Sequence, residues 1–250
     1  MSGKPVPPSP EIPARVEPDQ LDPRVRAELK TLPRDLAERV ARHLVAADQS
    51  EQPELAHQHA VAARQLAARV GVVREACGVA AYLSGRWPEA LSELRAARRL
   101  TGRSGYVAIM ADCERALGRY DRALALVSSP AAAPVDRAER VELRIVESGV
   151  RRDMGAADAA VVILQLPELS ERKVRPWSAR LYYAYADALL GAGRAEEARH
   201  WFGCAAAADP DGETDAAERL NELDDVVIED LEDVPQPEMN ARRTSHSRGS

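Results

Sequence analysis

Residues 182–210 read YYAYADALLGAGRAEEARHWFGCAAAADP, and the fold is decided here. A first helical segment, Tyr182-Tyr183-Ala184-Tyr185-Ala186, runs on to a glycine at Gly193. A second carries Ala198, Phe202 and Ala205, and Pro210 closes it. Glycine leaves the right-handed helical conformation at little steric cost, so Gly193 ends the first helix. Alanines seven residues apart lie near one stripe of a helix. Two helices joined by a short turn approach closely only where such side chains are small, and Phe202 fills the space between the two alanines.

The same pattern extends toward the N-terminus. The spacing Gly-x4-Ala occurs at Gly85/Ala90, Gly118/Ala123, Gly155/Ala160 and Gly193/Ala198, in a chain with only 14 glycines. Pro53-Glu54-Leu55-Ala56 matches Trp87-Pro88-Glu89-Ala90 and adds an earlier copy. From Ala56 onward the alanines fall 34, 33, 37 and 38 residues apart. A small residue recurs in the first helix at Gly78, Ala111 and Ala186, with Leu44 and Ser148 in the other two copies. A second alanine follows at Ala63, Ala97 and Ala205. Pro130 and Pro167 stand there in the third and fourth copies, which predicts short second helices ending near Ser129 and Leu166. One helix pair cannot bury its own apolar face, so the copies must stack.

Over residues 34–212 this pattern resembles the tetratricopeptide repeat (TPR) family, whose unit is a helix–turn–helix with a period of 34 residues. The resemblance implies an all-α fold: a right-handed solenoid of about five helix–turn–helix units. The packing positions are Ala56, Gly78, Gly85, Ala90, Gly118, Ala123, Gly155, Ala160, Ala186, Gly193, Ala198, Ala205 and Pro210. The resemblance also implies a concave groove, lined by the first helices, that holds a partner segment. Its ligand-facing positions fall on Glu38, Val45, Asp48, Glu75, Val79, Tyr82, Asp112, Arg115, Arg152, Arg180, Tyr183 and Asp187. Family members that clamp a C-terminal carboxylate place Lys, Arg or Asn mid-helix. Here those places hold Val45, Glu75, Val79, Asp112, Tyr183 and Asp187 among others, which argues against that mode. The N-terminal half of the groove reads as acidic and apolar, so the expected ligand is a protein or peptide with basic and apolar side chains.

The net charge of −6 is unevenly placed. Residues 211–233 carry eleven acids against Arg219, a net of −10, and residues 234–250 carry +2, which leaves residues 1–210 at +2. Within this acidic stretch, Ala216, Ala217, Leu220, Leu223, Val227 and Leu231 fall roughly on one face. A C-terminal capping helix over 213–232, acids outward, is expected. Residues 1–33 hold eight prolines and are expected to form a disordered, Pro-rich leader with a short helix over 23–31. Residues 233–250 read as a disordered tail.

The chemistry-bearing residues are sparse. Cys77, Cys113 and Cys204 form no CxxC pair and no even-numbered disulfide framework. His57 and His59 sit two apart on a helix and point to different faces; His43, His200 and His246 have no partner by spacing. No metal site, no cofactor and no catalytic residues are expected, since phosphate-loop, GxSxG and HExxH patterns are absent. Arginine clusters such as Arg95/Arg98/Arg99/Arg103 keep nucleic-acid binding as an alternative. The near-neutral body, without interleaved aromatics, disfavours it. A helical enzyme is the remaining alternative. No apolar run suggests a signal or a membrane span, so a cytoplasmic, non-enzymatic scaffold or adaptor is the expectation.

Overall fold

The computed structural model describes residues 9–103, 105–129 and 136–232, with 225–232 described by backbone alone. Among the described residues every regular element is helical. A short α1 (Pro23–Leu29) precedes five helix pairs. These are α2 (Arg34–Asp48) with α3 (Pro53–Ala67), α4 (Gly71–Leu83) with α5 (Trp87–Thr101), and α6 (Val107–Ala116) with α7 (Tyr120–Val127). Then come α8 (Arg137–Asp153) with α9 (Ala157–Leu164), and α10 (Ser178–Gly191) with α11 (Ala195–Ala207). A last helix, α12, spans Ala216–Glu232. Neighbouring helices pack in chain order. Each first helix also touches the next first helix, in the series α2, α4, α6, α8, α10.

The turns explain the pairing. Gly85, Gly118, Gly155 and Gly193 take φ of 68°, 68°, 80° and 73°, the left-handed region where a Cβ is penalised. In each turn the next residue's N–H donates to the carbonyl five residues before it. The bonds are Arg86 to Ala81 (2.8 Å), Arg119 to Glu114 (2.8 Å), Ala156 to Arg151 (2.9 Å) and Arg194 to Leu189 (2.9 Å). This closure satisfies a carbonyl left over at the helix end.

Small residues set the approach of each pair. Ala56, Ala90, Ala123, Ala160 and Ala198 are all buried, as are Ala63, Ala97, Ala205, Ala111 and Ala186. A Cβ on Gly78 would stand 2.6 Å from the Leu94 side chain, so α4 and α5 touch through bare backbone. At the equivalent place in α8, the Ser148 hydroxyl donates to the Ala160 carbonyl at 3.0 Å. Pro210 follows α11 on the surface. The second helices α7 and α9 are eight residues each, against 13 to 15 in the other pairs. Pro167 begins a 3-10 turn, Pro167–Ser170.

The N-terminal expectation is corrected. Residues 9–33 are not a disordered leader. Val16 is 2% exposed and packs with Ile12 and Leu21 against Val45 and Ala46 of α2. Asp22 caps α1 by accepting from the Arg24 and Val25 N–H groups at 2.7 and 3.4 Å, and Leu29 is buried against Val40 and Val73. Pro-rich chain has little periodicity of its own, but the open side of the first pair offers apolar surface, and extended chain covers it. The leader's first eight residues and the 233–250 tail lie outside the described residues.

At the other end α12 begins at Ala216 after a turn in which Asp209 accepts from the Glu213 and Thr214 N–H groups at 2.8 and 2.7 Å. Ala216, Leu220 and Leu223 face a core containing Leu189 and Phe202. Asp224 pairs with Arg199 of α11, so one of its acids faces the array. Among the described residues no helix is long and apolar enough to cross a membrane.

Candidate functional site

The series of first helices gathers part of the expected groove into one place. Tyr82 from α4, Asp112 and Arg115 from α6, Arg152 from α8, and Arg180, Tyr183 and Asp187 from α10 line a single cleft of about 350 Å³. Ile145, Val146, Ser148, Gly149 and Ala184 supply its small and apolar surface, and Glu213 and Thr214 approach from the turn before α12.

Acids and arginines in and beside the cleft pair along α6 and across to α8, α10 and α12. The Tyr82 hydroxyl donates to Asp112 at 2.7 Å. Arg115 donates to Asp112 and to Asp153, both at 2.7 Å. Arg152 lies 3.8 Å from Asp153 and pairs with Asp187. Asp187 in turn lies 3.8 Å from Arg219 of α12. Burial, then the neighbouring Asp112, raises the Tyr82 hydroxyl pKa. Burial, then the bond to Asp215, pushes the Tyr183 hydroxyl up to about 12.

A smaller apolar cavity of about 190 Å³ adjoins this cleft, between Tyr106, Val107, Ala108 and Ile109 on one side and Glu139, Glu142 and Leu143 on the other. Tyr106 has a φ of 64°, a left-handed conformation costing a non-glycine residue roughly 1–3 kcal/mol. Glu142 receives Arg180 at 2.7 Å. Burial holds the Glu142 carboxyl above the usual range, and Arg180 offsets only part of that.

The remaining expected groove residues lie elsewhere. Glu38 is exposed and pairs with Arg34 at 3.0 Å; Asp48 is exposed; Val79 is half-buried. Val45 is corrected: it is 2% exposed beneath Val16, so the chain's own N-terminal segment occupies that position. Glu75 is bridged by Arg103 at 3.0 Å, and Arg103 also holds Glu28 of α1 at 2.7 Å. Three acids of the N-terminal half are therefore not bare: Glu38, Glu75 and Asp112 all have counterions from this chain.

Three clusters have no counterpart in the sequence reading. His43 and His59 meet at 3.1 Å between their Nδ1 atoms, buried between α2 and α3. His57 turns the other way, its Nε2 3.2 Å from Glu89. Glu114, fully buried, receives Arg95 at 2.6 Å and Arg119 at 3.3 Å. Glu93, 3% exposed, receives Arg64 and Arg74 at 2.5 and 2.6 Å. Cys77, Glu89 and Glu93 approach closely enough to suggest a metal site. However, both Glu93 oxygens are engaged by guanidinium groups. Burial, then Glu93, pushes the Cys77 thiol up to about 12, so a thiolate ligand is disfavoured near neutral pH. The cluster reads as a buried ion-pair network joining α3, α4 and α5. Only one cue to these clusters lay in the sequence: histidine and glutamate sitting where apolar periodicity calls for a core residue.

No family model matches this chain, and no curated protein matches it.

Proposed function

We propose that this chain is a non-enzymatic scaffold or adaptor, a TPR-like right-handed solenoid of about five helix pairs capped by α12. It binds a partner segment of a protein along the face formed by α4, α6, α8 and α10, and it works in the cytoplasm. The observation that carries this reading is the cleft of about 350 Å³, to which four successive first helices contribute. The repeated glycine closures and the buried alanine series support the stacking.

Nucleic-acid binding fits less well. Several of the arginines that would meet phosphates are engaged by the chain's own acids, among them Arg95 with Glu114, Arg103 with Glu75, and Arg137 with Glu168. A phosphate would have to displace those carboxylates. Among the described residues no set of side chains favours an enzyme.

The test is affinity capture from the native cell with the wild-type chain and with Ala184→Trp, which fills the cleft. The reading expects a discrete protein retained at moderate salt by the wild type and lost by the variant. Recovery of nucleic acid with a steep salt dependence, or capture indifferent to Ala184→Trp, overturns it.

A further inference from the structure

We propose that the partner enters this face through a basic side chain flanked by an apolar one, and that the basic group takes the place of Arg180 against Glu142. The inference rests on the groove reading above and names the chemistry of the ligand.

One ion pair links the two cavities. Glu142 lines the smaller, Arg180 lines the larger, and their 2.7 Å ion pair stands between them. The two ends of this pair are held very differently. The Arg180 side chain is 52% exposed and, among the described residues, pairs with Glu142 alone, whereas that of Glu142 is 25% exposed. The other arginines of the cleft each reach two acids: Arg115 meets Asp112 and Asp153, and Arg152 meets Asp153 and Asp187. Arg180 is thus the cation most easily returned to water. A guest ammonium or guanidinium can replace it without leaving Glu142 buried and unpaired, the costly alternative.

The surroundings favour a cation over an anion. Glu139 lies beside Glu142 in the smaller cavity, and Glu213 borders the larger. An acidic guest would meet these carboxylates with the remaining arginines already engaged. The apolar cavity, walled by Val107, Ile109 and Leu143, lies on the Glu142 side of this ion pair and takes an aliphatic side chain next to the basic group.

The test measures fluorescence anisotropy of three short labelled peptides with central Leu-Arg-Arg-Leu, Leu-Gln-Gln-Leu or Leu-Glu-Glu-Leu, against the full chain. The basic peptide is expected to bind best. Arg180→Ala should tighten it about threefold by removing the internal competitor, and Glu142→Gln should weaken it roughly tenfold, the scale of one charge-assisted contact. Arg180 is exposed, so its variant reads the sign of the effect even if the Glu142 variant fails to fold. Weaker or unchanged basic-peptide binding by Arg180→Ala overturns the proposal. Preference for the acidic or neutral peptide, with binding abolished by Ala184→Trp, overturns the cation and leaves the groove reading standing. No binding by any peptide, or binding indifferent to Ala184→Trp, overturns both.

Discussion

The imidazoles of His43 and His59 face each other through their Nδ1 atoms at 3.1 Å, with the Ser9 hydroxyl 3.3 Å from the far nitrogen of His43. Such a contact requires one ring to donate and the other to accept, so at most one Nδ1 carries a proton. Burial, then the charges of His59 and Arg39, lowers the His43 pKa from 6.5 to about 4, and burial lowers that of His59. The unfolded chain therefore binds more protons at this pair between pH 6.5 and about 4. Stability from the neutral pair is complete above pH 6.5 and is lost as pH falls through that window. Melting temperature should drop over this range, and His43→Leu should flatten the drop. Parallel profiles for the two proteins would disprove the linkage.

Gly78 and Leu94 occupy the same space. Gly78→Ala should cost about 1–3 kcal/mol by overpacking, and less in a Leu94→Ala background, where the clash is gone. Chemical denaturation of the four proteins of this double-mutant cycle gives the coupling. Strict additivity would mean the helices do not meet there.

Glu93→Gln removes the charge that Arg64 and Arg74 share. The expected loss is roughly 1.5–3 kcal/mol, the scale of hydrogen bonds to charged groups. An unchanged denaturation midpoint would show that the two guanidinium groups find water instead.

Ala198 has no exposed surface. Ala198→Leu should unsettle the α10–α11 pair by about 1–3 kcal/mol. An unaltered melting curve would place α11 in another register.

Val16→Ala should destabilise the chain by about 1–2 kcal/mol, the burial of two methyl-sized groups. An indifferent melt would show that residues 9–22 contribute nothing to the fold.

Much of the helical frame was legible because its signals are steric. Gly85, Gly118, Gly155 and Gly193 stand where the chain must turn left-handed, and alanine stands where helices touch. Pro130 and Pro167 foretold second helices that stop short, and α7 and α9 end at Val127 and Leu164. Seven of the expected groove positions, Tyr82, Asp112, Arg115, Arg152, Arg180, Tyr183 and Asp187, line the cleft, but how they pair across helices was not legible. Arg115 lies three residues from Asp112 on the same helix, a pair the sequence permits, but its second tie, to Asp153, exists only once α8 packs alongside α6. The N-terminal segment was misread for a related reason. Ile12, Val16 and Leu21 have no period among the prolines, and the surface of α2 decides their burial. His43 and His59 lie 16 residues apart, a separation that means nothing until α2 folds back on α3.

The eight-residue α7 has a mechanical consequence. It contributes one fully buried residue, Ala123, while larger separate cores gather around α1–α4 and around α8–α12. Its Tyr120, Leu124, Leu126 and Val127 are only partly buried, packing against Ala111, Val146 and Val150, so α6, α7 and α8 share a smaller buried core than the pairs on either side. The cleft spans that smaller core from α4 to α10. A segment seated in it would act as a splint, so occupancy should be felt as stiffness of the whole chain as well as affinity at one site.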